Sequence, residues 1–140
     1  MTITSTVQVL EDGPRNLVVR LSSTIPSGNA ELFVEKIEVT TLSKWSNQTC
    51  DALSLLELRS STVNASFTLW WEAALPANNA RIWGFPMDFS DHQKFRKFGG
   101  IQNSATGGTG CVLLTTENWG DPQLDGSYDI TLWFRKKYPR

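Results

Sequence analysis

Histidine is almost missing from this 140-residue chain: His92 is the single one. A zinc site needs three or four ligands of suitable type and spacing, and nothing is placed to join His92. A Ser-His-Asp or Cys-His centre would have to run through the same residue, yet Asp91 and Gln93 beside it belong to no nucleophile-elbow sequence. Cysteine is nearly as scarce. Cys50 and Cys111 are the only two, too few for a disulfide framework. The opening Met1-Thr2-Ile3-Thr4-Ser5 has neither a basic n-region nor an apolar h-region, so both thiols are expected reduced, in a protein made in cytoplasm. No apolar run approaches the ~20 residues of a membrane helix. Net charge is also lacking: 13 Lys and Arg against 14 Asp and Glu leave −1, which gives no bulk field toward nucleic acid or an anionic membrane.

What is present is a core. With 40% hydrophobic and 19% charged residues the chain is globular, and its length predicts one domain, 1–140, burying roughly two-thirds of its unfolded surface. Six Trp and seven Phe exceed what so small a core usually hides, which points some of them toward an interface. The dominant pattern is period two broken by turn residues. Thr6 to Leu10 and Leu17 to Leu21 flank the turn Glu11-Asp12-Gly13-Pro14, and Leu32 to Thr41 could pass for a short helix, although its Val and Thr content favours one strand. Leu53 to Arg59 fits either a helix behind Asp51 or a strand leading to a turn near Asn64; the poor helix continuation after Arg59 favours the strand. Ser66 to Glu72 sets Phe67, Leu69 and Trp71 on one face. Arg81 to Phe85 and Cys111 to Thr116 follow the same style, and Ser127 to Lys136 closes with Tyr128, Ile130, Leu132 and Phe134 aligned. Pro86 to Phe98 reads as an ordered loop and Gly99 to Gly110 as a flexible turn. About eight short antiparallel strands predict an all-β domain, a β-sandwich or jelly-roll-like fold. Residues 1–6 are a candidate N-terminal arm and 135–140 a basic C-terminal tail.

Motifs that could carry chemistry fail on detail. The glycines from Gly99 to Gly110 lack a Gly-Lys-Ser/Thr ending and precede a strand, not a helix whose N-terminus could hold phosphate. Asp121-Pro122-Gln123-Leu124-Asp125-Gly126 puts Gln123 and Leu132 where a calcium loop needs acids. Glu57 and Glu72 could act as a carboxylate pair on adjacent strands, with Trp70 to stack a sugar, but two charged residues on an outward strand face explain them as well. No catalytic residue, cofactor or metal is therefore expected. Two basic clusters remain, Lys94-Phe95-Arg96-Lys97-Phe98 and Arg135-Lys136-Lys137-Tyr138-Pro139-Arg140. In a slightly acidic chain they suit an acidic protein surface better than nucleic acid.

Several stretches resemble one known family. Glu11-Asp12-Gly13-Pro14-Arg15-Asn16-Leu17-Val18-Val19-Arg20, Leu69-Trp70-Trp71-Glu72-Ala73, Lys97-Phe98-Gly99-Gly100-Ile101-Gln102-Asn103 with Thr106-Gly107, and Tyr128-Asp129-Ile130-Thr131-Leu132 are similar, in order and spacing, to small β-proteins of tailed-bacteriophage virions encoded among head genes. The resemblance implies a non-enzymatic structural protein, a head decoration (cement) protein on the capsid exterior. Its implied partners are the major capsid protein and further copies of itself, as a homotrimer, with no nucleic acid and no membrane. The implied contacts are the aromatic loop, Trp83, Phe85, Phe89, Lys94, Phe95, Arg96, Lys97 and Phe98, and the tail, Arg135, Lys136, Lys137 and Arg140. A tail or neck adaptor is the alternative within the virion. A carbohydrate-binding module using Trp70, Trp119 or Trp133 is the alternative outside it.

Overall fold

A computed structural model of the chain describes residues 4–26, 30–45, 47–85, 90–117 and 125–138. They form nine strands: β1 (Thr4–Asp12), β2 (Asn16–Ile25), β3 (Val34–Ile37), β4 (Ala52–Val63), β5 (Ser66–Ala73), β6 (Ala80–Phe85), β7 (Ser90–Lys94), β8 (Gly108–Glu117) and β9 (Gly126–Lys137). Among the described residues there is no α-helix, only three one-turn 3₁₀ segments, Val39–Thr41, Pro76–Asn78 and Arg96–Phe98. The strands make two antiparallel sheets, β1-β2-β9-β4-β7 and β3-β8-β5-β6.

The pairs β2–β9, β3–β8, β4–β7 and β5–β6 are nested, one inside the next, as though one long hairpin had been rolled across two layers. That nesting defines a jelly roll, here with β1 added at one edge. Period two does the work expected of it. Leu17, Val19, Leu21 and Ile25 of β2, and Tyr128, Ile130, Leu132 and Phe134 of β9, are buried between the sheets, while Arg20, Asp129 and Thr131 face out. From the other sheet come Phe67, Leu69 and Trp71 of β5 with Val112 and Leu114 of β8. Trp71 meets Phe134 edge-on at 6.4 Å and Phe67 meets Tyr128 at 6.0 Å. Truncating a fully buried ring such as Trp71 costs about 3–5 kcal/mol.

A charged network closes the inner space beside β3. The Lys36 ammonium donates to Glu31 at 2.6 Å, and the Tyr128 hydroxyl donates to the other Glu31 oxygen at 2.6 Å. Both side chains of the ion pair are 3% exposed. Burial first, and then the Glu31 carboxylate, push the Tyr128 phenol far above its ordinary pKa.

Several expectations need correction. Residues 4–6 are part of β1, so the candidate arm is a paired strand from Thr4 onward. β1 runs beyond the four-stranded sheet, which leaves Val7 and Val9 44% and 52% exposed. Leu32 to Thr41 is not one strand: Phe33 sits at φ 48°, and after Ile37 the chain turns into the 3₁₀ segment. The ambiguous Leu53 segment, by contrast, is the strand expected, inside β4, and Asn64 makes the expected turn after it at φ 51°. The supposed loop before Phe98 contains β7, paired with β4 from Ser61 to Glu57. Residues 135–137 are the end of β9, not a free tail.

Candidate protein-interaction site

The two basic clusters lie far apart in sequence but are brought to one end of the five-stranded sheet. Arg135 pairs with Asn16 of β2 on one side and Ser54 of β4 on the other, and Lys137 pairs with Ala52. On the opposite side of β4, Ile101 bridges Leu55 through two backbone hydrogen bonds of 3.0 and 2.8 Å, and the Phe95 amide donates to the Leu56 carbonyl at 2.8 Å. Segment 95–101 and the end of β9 thus flank β4 two strand spacings apart, about 10 Å. A bulge between Leu55 and Glu57 makes this docking possible, because it releases the Leu56 carbonyl from the ladder.

That docked segment is a braced loop, not the flexible turn expected from its glycines. The Gly100 amide donates to the Phe95 carbonyl at 2.9 Å. Gln102 donates to the Gly99 carbonyl at 3.0 Å and accepts from the Ser54 hydroxyl at 3.1 Å. Gly99 ends the 3₁₀ turn at φ 77°, and a Cβ on Gly100, at φ 89°, would sit 2.9 Å from the Leu55 carbonyl oxygen. Glycine is needed at both positions for these reasons. At the tip Phe98 stands 84% exposed, with exposed Lys94, Arg96 and Lys97 around it. Arg96 shares Glu57 with His92, at 3.7 and 2.8 Å; among the described residues no carboxylate pairs with Lys97.

The other predicted contacts divide. Trp83 and Phe95 meet at a tilt with centroids 5.2 Å apart and pack against the core, closing the side of the sandwich between β6 and β7. Lys136 is withdrawn altogether: its side chain is 0% exposed, and its ammonium donates to Asp12 and, at 3.1 Å, to the Ser43 carbonyl. Burial raises the Asp12 carboxyl, but the hydrogen bonds from Lys136 and Ser43 and the Lys136 charge outweigh it and hold Asp12 below its ordinary pKa. Arg135 and Lys137 remain exposed. Phe89, Arg140 and the side chain of Phe85 lie outside the described residues, as do Trp119 and most of the calcium-like loop.

Two residues that the sequence reading passed over complete this end. The Arg15 guanidinium lies 5.1 Å from the centre of the Trp45 ring, and Trp45 meets Tyr138 edge-on at 5.7 Å. With Asn16, Arg135 and Lys136 they line a recess of about 520 Å³. Two exposed arginines over an aromatic floor can receive an acidic side chain. The Glu11-Asp12-Gly13-Pro14 turn signal pointed to the place but not to Trp45, which reaches it from a distant loop.

The outer face of the four-stranded sheet is different. Phe33 packs on Trp70 with centroids 5.2 Å apart, and the Trp70 indole donates to Thr115 at 3.0 Å. Phe33, Leu113, Ala73, Pro76, Asn79 and Glu72 line a cleft of about 240 Å³. Beside it, ligand atoms of Glu35, Glu72 and Cys111 lie within 4.8 Å of one another, the one grouping among the described residues that approaches a metal set. Burial, then Glu38 and Glu72, raise the Glu35 pKa; burial chiefly raises that of the Cys111 thiol. Among the described residues no Lys or Arg pairs with Glu35, Glu38 or Glu72. Arg81, on β6 of the same face, lies over Gly84 instead.

Glu57 and Glu72 sit on different sheets and both face outward, so they cannot share a substrate bond as paired carboxylates. Trp70 and Trp133 likewise face opposite ways and form no common stacking platform. No protein-family model and no curated protein matches the chain.

Proposed function

We propose that this chain is a non-enzymatic structural protein of a tailed-bacteriophage virion. In this reading it is a decoration protein that binds the outer surface of the head shell and ties neighbouring major capsid subunits together. The observation that carries the reading is the basic end of the five-stranded sheet. There Arg15, Arg135, Lys137, Arg96 and Lys97, scattered over the sequence, converge around a recess and a rigid loop in a chain whose net charge is −1. A concentrated basic patch on a near-neutral protein suits an acidic protein surface, such as a shell exterior, and steers the encounter with it.

Two of the stretches that carry the family resemblance have a definite task in this jelly roll. Asp12 holds Lys136, the Gly13 amide closes the turn onto Asn16, and the Pro14 carbonyl accepts from Tyr138. The Phe-Gly-Gly-Ile-Gln-Asn stretch is the braced loop. Jelly rolls also build lectins and cupins, so the fold by itself does not choose the function; the basic end is the feature that supports the shell-binding reading.

The test is quantitative mass spectrometry of purified particles, with copies counted per major capsid protein. Near parity with the shell subunit supports decoration. A handful of copies per particle moves the protein to the portal, neck or tail, and absence from the particle overturns the virion reading.

A further inference from the structure

We infer that copies of this chain associate head to tail, with the Phe98 loop of one copy seated in the Phe33–Leu113 cleft of the next. The inference uses the Phe98 loop that the virion reading sets against the shell, so the two readings compete for that loop, and self-association through it would remove Arg96 and Lys97 from the shell contact.

Each half of the contact has an unmet need that the other supplies. Phe98 is 84% exposed on a loop fixed by backbone hydrogen bonds at both ends, so seating it costs little ordering entropy. A single large exposed aromatic on a rigid support is the usual form of an interface anchor. The cleft measures about 240 Å³, and a cavity of roughly 150 Å³ already accepts a benzene ring. Its walls, Phe33, Leu113, Ala73 and Pro76, are mostly apolar, and Leu75 at its rim is 66% exposed.

Charge matches in the same sense. Lys97 and Arg96 flank the phenyl ring, while Glu72 and Glu35 flank the cleft without a cation of their own. Docking the first on the second sets cations against carboxylates that face only like charge among the described residues. Phe33, held at φ 48°, adds a further sign. A bulky side chain in the left-handed region is costly and persists where its position matters; here it forms one wall of the cleft against Trp70.

The loop belongs to the five-stranded sheet and the cleft to the outer face of the other, so a single chain cannot bring them together. A contact between two different patches is heterologous and propagates into a ring or an open chain of copies. The occupant is thus a second copy of this chain, and the contact needs neither a metal nor a third protein.

Sedimentation equilibrium of the purified chain in EDTA, over a concentration series, tests this directly. The wild type self-associates, and more weakly as salt rises and screens the charges. Phe98→Ala weakens association tenfold or more with an unchanged circular dichroism spectrum, since the ring makes no contribution to the core. Lys97→Glu and Glu72→Lys each weaken it, and the double variant carrying both restores it. A wild type that stays monomeric throughout the series overturns the inference, as does a Phe98→Ala variant that associates like the wild type. A double variant no better than either single one refutes the charge pairing and with it the assignment of Glu72 to the contact. Loss of association in EDTA alone would mean that a cation at Glu35, Glu72 and Cys111 joins the copies instead.

Discussion

On the outer face of the five-stranded sheet Arg20 grips Asp129 through two hydrogen bonds of 3.0 and 2.6 Å, and Glu57 is held between His92 and Arg96. On the outer face of the four-stranded sheet Glu35, Glu38 and Glu72 crowd together with no cation among the described residues to hold them. The same side-chain type therefore titrates in opposite directions on the two faces. The hydrogen bonds from His92 and Arg20, as the leading causes, hold Glu57 and Asp129 below the ordinary carboxylate range. Burial and like charge hold Glu35 above it. On the first face these carboxylates are paired within the chain; on the second, among the described residues, they have no cation.

The largest effect is expected at Lys136, buried on the inner face of the same sheet. Lys136→Met leaves Asp12 without its cation and should lower the unfolding free energy by about 2–3 kcal/mol at neutral pH, measured by urea denaturation. The deficit should shrink in acid, because the stability linked to Asp12 is present above its unfolded pKa and lost as the pH falls through the lowered folded value. An unchanged midpoint would show that the buried ammonium contributes nothing. Next in size is Glu57→Gln, which should cost about 1 kcal/mol, as expected for a mostly shielded surface pair, and should flatten the fall in stability below roughly pH 4.

The smallest change should have the opposite sign. Glu35→Gln should stabilise the isolated chain by about 0.3 kcal/mol, because it removes one of several crowded like charges. Its pH profile should differ as well. A carboxyl raised in the folded state makes stability decline as the pH rises from the unfolded value through the folded one. That decline should vanish in Glu35→Gln and persist in Glu57→Gln. If both variants show the same profile, the two faces are electrostatically alike and the contrast drawn between them is wrong.

The sequence disclosed most where one rule decided the outcome alone. β2, β5 and β9 each have one buried and one open face, so alternation reported them directly. β7 escaped because Ser90-Asp91-His92-Gln93-Lys94 forms an edge strand without a clean apolar face, and polar alternation leaves no mark. β3 was overdrawn because nothing local announces the left-handed Phe33. The burial of Lys136 was illegible for another reason: its partner Asp12 lies 124 residues away, so a run of basic residues looked like a solvated tail. The Phe98 loop could be singled out from its aromatic and basic composition, although its rigidity, supplied by the Leu55–Glu57 bulge, could not. The cleft was invisible, being assembled from β3, β5, β8 and the turn at Pro76.

The nested pairing of strands also dictates when the protein can exist. Of the nine strands β9 is made after all the others, yet it lies between β2 and β4 in the middle of its sheet, and Arg20 waits for Asp129 across 109 residues. Until β9 emerges from the ribosome, β2 and β4 have no common neighbour, and their apolar faces stay open to water and to other nascent chains. Such long-range closure is slow and prone to aggregation. Deleting β9 (Gly126–Lys137) should therefore abolish the whole five-stranded layer instead of trimming its edge.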